Sequence, residues 1–144
     1  MIDASLILQP VVALAIWTMV MWVWMYATRI PAMRANWVDP DGLARDPDSS
    51  LDRLLPVQVQ WKAHNFNHLH EAPTVFYAIA VVLALTGAGD GMGVWLAWAY
   101  VALRVAHSLV QAIWNKVMLR FVLFALSSLV LAALIGMATV AVFG

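Results

Sequence analysis

The chain has 144 residues, of which 64% are hydrophobic and 11% charged, and its mean hydropathy is +0.82. A soluble domain carries about 45–50% apolar and about 25% charged residues, so this is the composition of an integral membrane protein, and the length suits one domain, residues 1–144. The formal net charge of zero gives no electrostatic footprint for nucleic acid, and the absence of cysteine excludes disulfides, thiolate metal sites and any protein thiol as a nucleophile.

The first segment, from about Leu6 to Thr28, contains Gln9, Pro10 and Thr18 but no charge. At 1.5 Å per residue it covers about 34 Å, enough for a hydrocarbon core of about 30 Å. No basic residue precedes it and its apolar run is long, which favours a retained span over a cleaved leader. Trp17, Trp22, Trp24 and Tyr26 crowd its second half, as expected near an interface, and Arg29 and Arg34 close it. Residues 29–56 read as a solvated connection. Pro31, Pro40, Gly42 and Pro47 interrupt any long helix, and five aspartates alternate with Arg34, Arg45 and Arg53. Ser50 or Asp52 is placed to cap the next helix, with Pro56 in its first turn.

That second helix is expected from about Leu54 to Leu85. Pro73 has no amide hydrogen, so the carbonyl of Leu69 loses its helical partner and a kink is expected there. Gly87 to Gly91 form a tight turn. A third helix follows from about Gly93 to Trp114, then a short turn at Asn115 and Lys116, then a fourth helix from about Val117 to Phe143. Five of the eight Lys and Arg residues lie between Arg29 and Lys62, and Lys116 and Arg120 flank the third connection. The positive-inside rule therefore places the long connection in the cytoplasm and both termini outside, which four spans allow.

The chemistry-bearing residues concentrate on helices two and three. The stretch from Trp61 to Tyr77 holds three of the four histidines and the only glutamate. His64, His68 and Glu71 are spaced i, i+4, i+7 and share one helical face, with Asn67 one turn before Glu71. Arg104, His107 and Gln111 form a second stripe, spaced i, i+3, i+7. The two stripes are expected to meet, with Glu71 neutralising Arg104, because an unpartnered charge at membrane depth is costly. Polar glue between helices would also produce such stripes. His64, His68, Glu71 and His107 are in addition residue types that suit zinc or iron, although no HExxH motif is present.

These residues carry a resemblance. The chain resembles the MAPEG family, the membrane-associated proteins in eicosanoid and glutathione metabolism, in a bacterial form. His68-Leu69-His70-Glu71, followed by Ala72-Pro73 and Phe76-Tyr77, resembles the family's Asn-x-x-Glu motif and its apolar run, with Glu71 at the family glutamate and His68 where asparagine is usual. Arg104-Val105-Ala106-His107 resembles the Arg-x-x-His segment of the prostaglandin-synthase-like members. Gln111 stands where those members carry a tyrosine, and Arg120 falls at their following arginine.

The resemblance implies an all-α, four-helix membrane bundle assembled as a homotrimer. Both termini would be periplasmic in a bacterial inner membrane. Glutathione or another small thiol would bind between subunits near the cytoplasmic face, and a lipophilic small molecule would enter from the membrane lipids. The basic groups Lys62, Arg104, Lys116 and Arg120 suit the carboxylates of glutathione, with Asn67, His68, Glu71, His107 and Gln111 as further binding residues. Arg120 is the candidate for thiol activation, since a guanidinium beside the sulfur favours the thiolate. The implied activity is that of a glutathione-dependent transferase or peroxidase on lipophilic substrates. With no phenol at position 111, a non-catalytic lipid-binding protein of the same fold stays open as the alternative. Tyr77 and Tyr100 are then either substitutes or packing aromatics.

Overall fold

The computed structural model describes residues 5–46 and 48–144, and every regular element among them is helical. Helix α1 spans Leu8–Ala35, α2 Pro40–Arg45, α3 Leu51–Leu54, α4 Val57–His68, α5 Ala72–Leu85, α6 Met92–Ile113 and α7 Val117–Phe143. Four stretches are long and apolar enough to cross a membrane: Leu8–Ala35, Val57–Leu85, Met92–Ile113 and Val117–Phe143. They form a four-helix bundle. Leu14 and Met21 of α1, Phe76 and Leu83 of α5, Ala97 and Tyr100 of α6 and Leu134 of α7 meet in its core without solvent exposure. The outside stays apolar, with Ile16, Trp95 and Leu129 at 60%, 75% and 68% exposure. A soluble bundle would place polar residues there, so the outer face is built for lipid.

The first helix corrects one expectation. It runs to Ala35, through Pro31, rather than ending near Thr28. Its 28 residues reach about 42 Å, so its last turns extend past a hydrocarbon core of about 30 Å. A proline removes one hydrogen bond but does not forbid a helix that other contacts hold. Here α4 lies along the end of α1: Arg29 donates from Nη2 to Gln60 Oε1 at 3.2 Å, and Lys62 Nζ sits 5.6 Å from the centre of the Trp24 ring. The connection is also more ordered than a plain loop. Asp39 caps α2 by accepting from the amides of Asp41 and Gly42, with Pro40 at the first helical position. Ser50 stands at the start of α3 without a side-chain cap, Asp52 lies inside α3, and Pro56 precedes α4 instead of lying within it. Pro47 lies outside the described residues.

Helix two breaks where a kink was expected. After His68 the chain tightens, with the amides of His70 and Glu71 donating to the carbonyls of Asn67 and His68 at 2.9 and 3.3 Å. Glu71 leaves the helical region, and α5 restarts with Pro73 in its first turn, where its missing amide hydrogen costs nothing. At the opposite end of the bundle, the turn 87–91 clasps the start of α1. Asp90 Oδ1 accepts from the Leu6 amide at 3.0 Å and from Ser5 Oγ at 3.2 Å. Gly89 makes the clasp possible, because a Cβ there would lie 2.7 Å from both Ile7 Cγ2 and Ser5 Oγ.

Candidate functional site

The end of the bundle away from this clasp brings α4, α6 and α7 together. On α6 the side chains of Arg104, His107, Ser108 and Gln111 all turn inward and are buried. The helix ends at Asn115, whose φ of 50° is a left-handed conformation that asparagine tolerates better than most residues, and whose amide reaches back to the Val110 carbonyl at 2.7 Å. That reversal launches α7 so that Arg120, one turn in, returns over the end of α6 and donates from Nη1 to Asn115 Oδ1. From the other side, the last turn of α4 presents His68. Its Nδ1 lies 2.9 Å from Glu71 Oε2, and its ring stands edge-on to His107 with centroids 6.2 Å apart. His68, His107, Val117, Arg120, Phe121 and Phe124 line a recess of about 250 Å³ between them.

One guanidinium group lines this recess and a second lies behind its wall. Arg120 Nε is buried without a partner, although Nη1 is bonded. Arg104 is 3% exposed and lies behind Phe124, its guanidinium carbon 5.2 Å from that ring and 5.4 Å from Tyr100. Its Nε donates to the Tyr100 hydroxyl at 3.2 Å, and its Nη2 has no partner. Buried donors are normally satisfied by protein, water or ligand, so the free Arg120 N–H at the recess has room for an accepting partner there, with the free Arg104 N–H one ring behind it. A larger open groove of about 730 Å³ runs along Ile30, Met33, Arg34 and Trp37 at the end of α1, but it gathers no comparable set of polar groups.

The sequence model of the MAPEG family matches residues 7–140. The chain belongs to the MAPEG family. No curated protein and no solved structure matches it. The family includes glutathione-dependent transferases and peroxidases as well as non-catalytic members, and four apolar spans make this member an integral, multi-pass membrane protein.

Within this MAPEG protein the residues picked out by spacing and by the family resemblance divide. His68, His107 and Arg120 come together at the recess, with Glu71 attached through His68 and Arg104 one ring behind. Lys62 does not join them: it donates to the Gln58 carbonyl at 2.8 Å and covers Trp24. Asn67 is exposed and outside the lining. Gln111 is 2% exposed, with its Oε1 unpartnered, and lies in the interior of the bundle rather than in the recess. The expected Glu71–Arg104 ion pair is absent among the described residues. Glu71 pairs with His68 because the chain breaks at 69–71 and carries its carboxylate, 62% exposed, off the face that meets α6. His64, one turn before His68 on the unbroken α4, pairs instead with Asp52 at 3.1 Å, so the four groups considered for a metal do not converge. Tyr100 is a packing aromatic, stacked on Phe76 at 4.5 Å with no exposure.

The sequence marks Asn115 only as a turn and Tyr100 only as a substitute phenol or packing aromatic, and does not single out Phe124. Asn115 holds Arg120. Phe124 is one helical turn beyond Arg120, and Tyr100 one turn before Arg104. Both pairs carry the i, i+4 spacing of neighbours on a helix surface, which was the available signal.

Proposed function

We propose that this protein is a membrane-bound transferase or peroxidase that uses a small thiol, with glutathione as the best fit, on lipophilic substrates, and that it works as a homotrimer. The observation that carries the reading is the unsatisfied Arg120 Nε at a recess walled by His68, His107, Val117, Phe121 and Phe124, with the unsatisfied Arg104 Nη2 behind the Phe124 ring. Glutathione offers two carboxylates and a thiol. Arg104 and Arg120 suit its anionic groups, and Glu71, His68 and Asn67 supply polar partners for its ammonium and amides. Arg120 is nearest the solvent-side turn and is the residue for stabilising the sulfur as thiolate. Bound there, the thiol supplies the nucleophile that the cysteine-free chain lacks. Val117, Phe121 and Phe124 form an apolar approach for the second substrate.

The same geometry supports a neighbouring subunit, and the MAPEG resemblance supplies the number three. A recess of about 250 Å³ is smaller than the roughly 300–1,000 Å³ of ordinary ligand sites, and Glu71 and Asn67 stand exposed beside it. A neighbouring subunit would complete the wall and shelter these groups from lipid. The recess end carries Lys116 and Arg120 and lies with the basic connection, so the positive-inside rule puts it at the cytoplasmic face, with both termini across the membrane in the periplasm.

The test is an ultraviolet titration of glutathione bound to the purified protein. Arg120→Leu is expected to raise the pKa of the bound thiol by roughly one to two units, the scale of losing one nearby charge, while Lys116→Leu leaves it in place. Overlapping curves for all three proteins would remove Arg120 from the mechanism. They would favour the second reading, a non-catalytic lipid-binding protein, which is supported by the burial of Gln111 where related members carry a phenol.

A further inference from the structure

The MAPEG motif carries asparagine where this chain has His68, and that exchange puts an acid beside a base. His68 Nδ1 is 2.9 Å from Glu71 Oε2, an approach that the break at residues 69–71 brings about. A carboxylate at Nδ1 selects the tautomer protonated on that nitrogen and leaves Nε2 as an acceptor. The ring is 38% exposed and lines the recess, edge-on to His107. Resting on the small-thiol reading above, we propose that His68 is a catalytic residue, the base that accepts the thiol proton, with Glu71 as its positioning residue.

The charges divide consistently. The S–H bond breaks, its electron pair stays on sulfur beside Arg120, and the proton forms an N–H bond at His68 Nε2. The resulting imidazolium faces the Glu71 carboxylate. After the thiolate adds to an electrophilic double bond, the same proton returns to the carbon next to the new C–S bond, so that the cycle needs no further reactant. The charged and titratable groups around His68 are Glu71 from the link after α4, Arg104 and His107 from α6, and Arg120 from α7. On its own helix His64 is bound to Asp52, and Lys62 is turned to Trp24. Glu71 is the only acid of this set. A positive charge on His68 is therefore balanced locally, whereas His107 has no acidic partner among the described residues.

Two measurements on the full chain test this. In histidine-labelled protein without thiol, nitrogen NMR is expected to find the neutral His68 ring protonated at Nδ1, and Glu71→Gln is expected to weaken that preference. With glutathione and an electrophilic alkene as probes, His68→Asn is expected to lower the rate at neutral pH by roughly 100-fold or more, the usual contribution of a general base. The loss should shrink at high pH, where the thiol ionises unaided. His68→Gln provides the same comparison if the asparagine variant folds poorly. A wild type that reacts while both variants keep its rate and pH profile would overturn the base and leave the small-thiol reading standing. A wild type that binds no glutathione would overturn both. A His68 ring protonated at Nε2 would overturn the dyad directly.

Discussion

Arg104 is held by aromatic rings and a phenol. Its guanidinium lies between Tyr100 and Phe124, with Nε on the Tyr100 hydroxyl. Guanidinium is weakly hydrated and stacks well, and a desolvated cation–π contact contributes about 2 kcal/mol, so the side chain tolerates burial that lysine would not. Tyr100→Phe is expected to cost about 1–3 kcal/mol, because it strips a buried charged donor of its acceptor. Glu71→Gln and Arg104→Gln should be additive in thermal unfolding, whereas Arg104→Gln and Tyr100→Phe should cost less together than the sum of the two. Coupling between Glu71 and Arg104 of about 1 kcal/mol or more would show that they meet in the assembled protein.

At the scale of elements, the turn between α6 and α7 both ends a helix and positions a side chain. Asn115 contributes a backbone in the left-handed region and an amide oxygen for Arg120. The two contributions separate by substitution. Asn115→Gly keeps the turn and releases Arg120, so stability should change little while the pKa of bound glutathione rises. Asn115→Ala should raise that pKa as well and also lose about 1 kcal/mol, because alanine lacks the short polar side chain by which asparagine tolerates this φ. Equal melting temperatures for the two variants would refute the backbone half. The matching device at the other end is Gly89. Gly89→Ala should open the Asp90 clasp and speed hydrogen exchange at the Leu6 amide, since its methyl group would collide with Ile7 and Ser5.

For the whole molecule, the four spans put Asp46 and Asp90 at opposite ends of the bundle. Single cysteines at these positions in the otherwise cysteine-free chain are expected to label from opposite sides of the membrane. Labelling from one side would overturn the topology. Native mass spectrometry in mild detergent should give three copies, and Phe121→Arg, which puts a charge on an exposed wall of the recess, should disrupt assembly. A wild-type monomer that binds glutathione would refute the need for a second subunit.

Composition and hydropathy alone determined that the chain spans a membrane four times, because lipid leaves backbone polar groups no partner outside a helix and demands about 20 apolar residues per span. The turn at 87–91 and the full extent of α7 were legible for the same reason, since glycine runs and charges interrupt the apolar pattern. The meeting of His68, His107 and Arg120 was partly legible from helical spacing and the MAPEG motif. The tertiary structure decided the rest. The packing of α4 along α1 carried the first helix through Pro31, which local propensity reads as a stop. The break at 69–71 moved Glu71 from Arg104 to His68, because spacing predicts a shared face only while the helix continues. Arg104 then took its partners from the rings that packing placed beside it, and Gln111 went to the interior, because which way a polar stripe faces depends on the neighbouring helix and not on its own period.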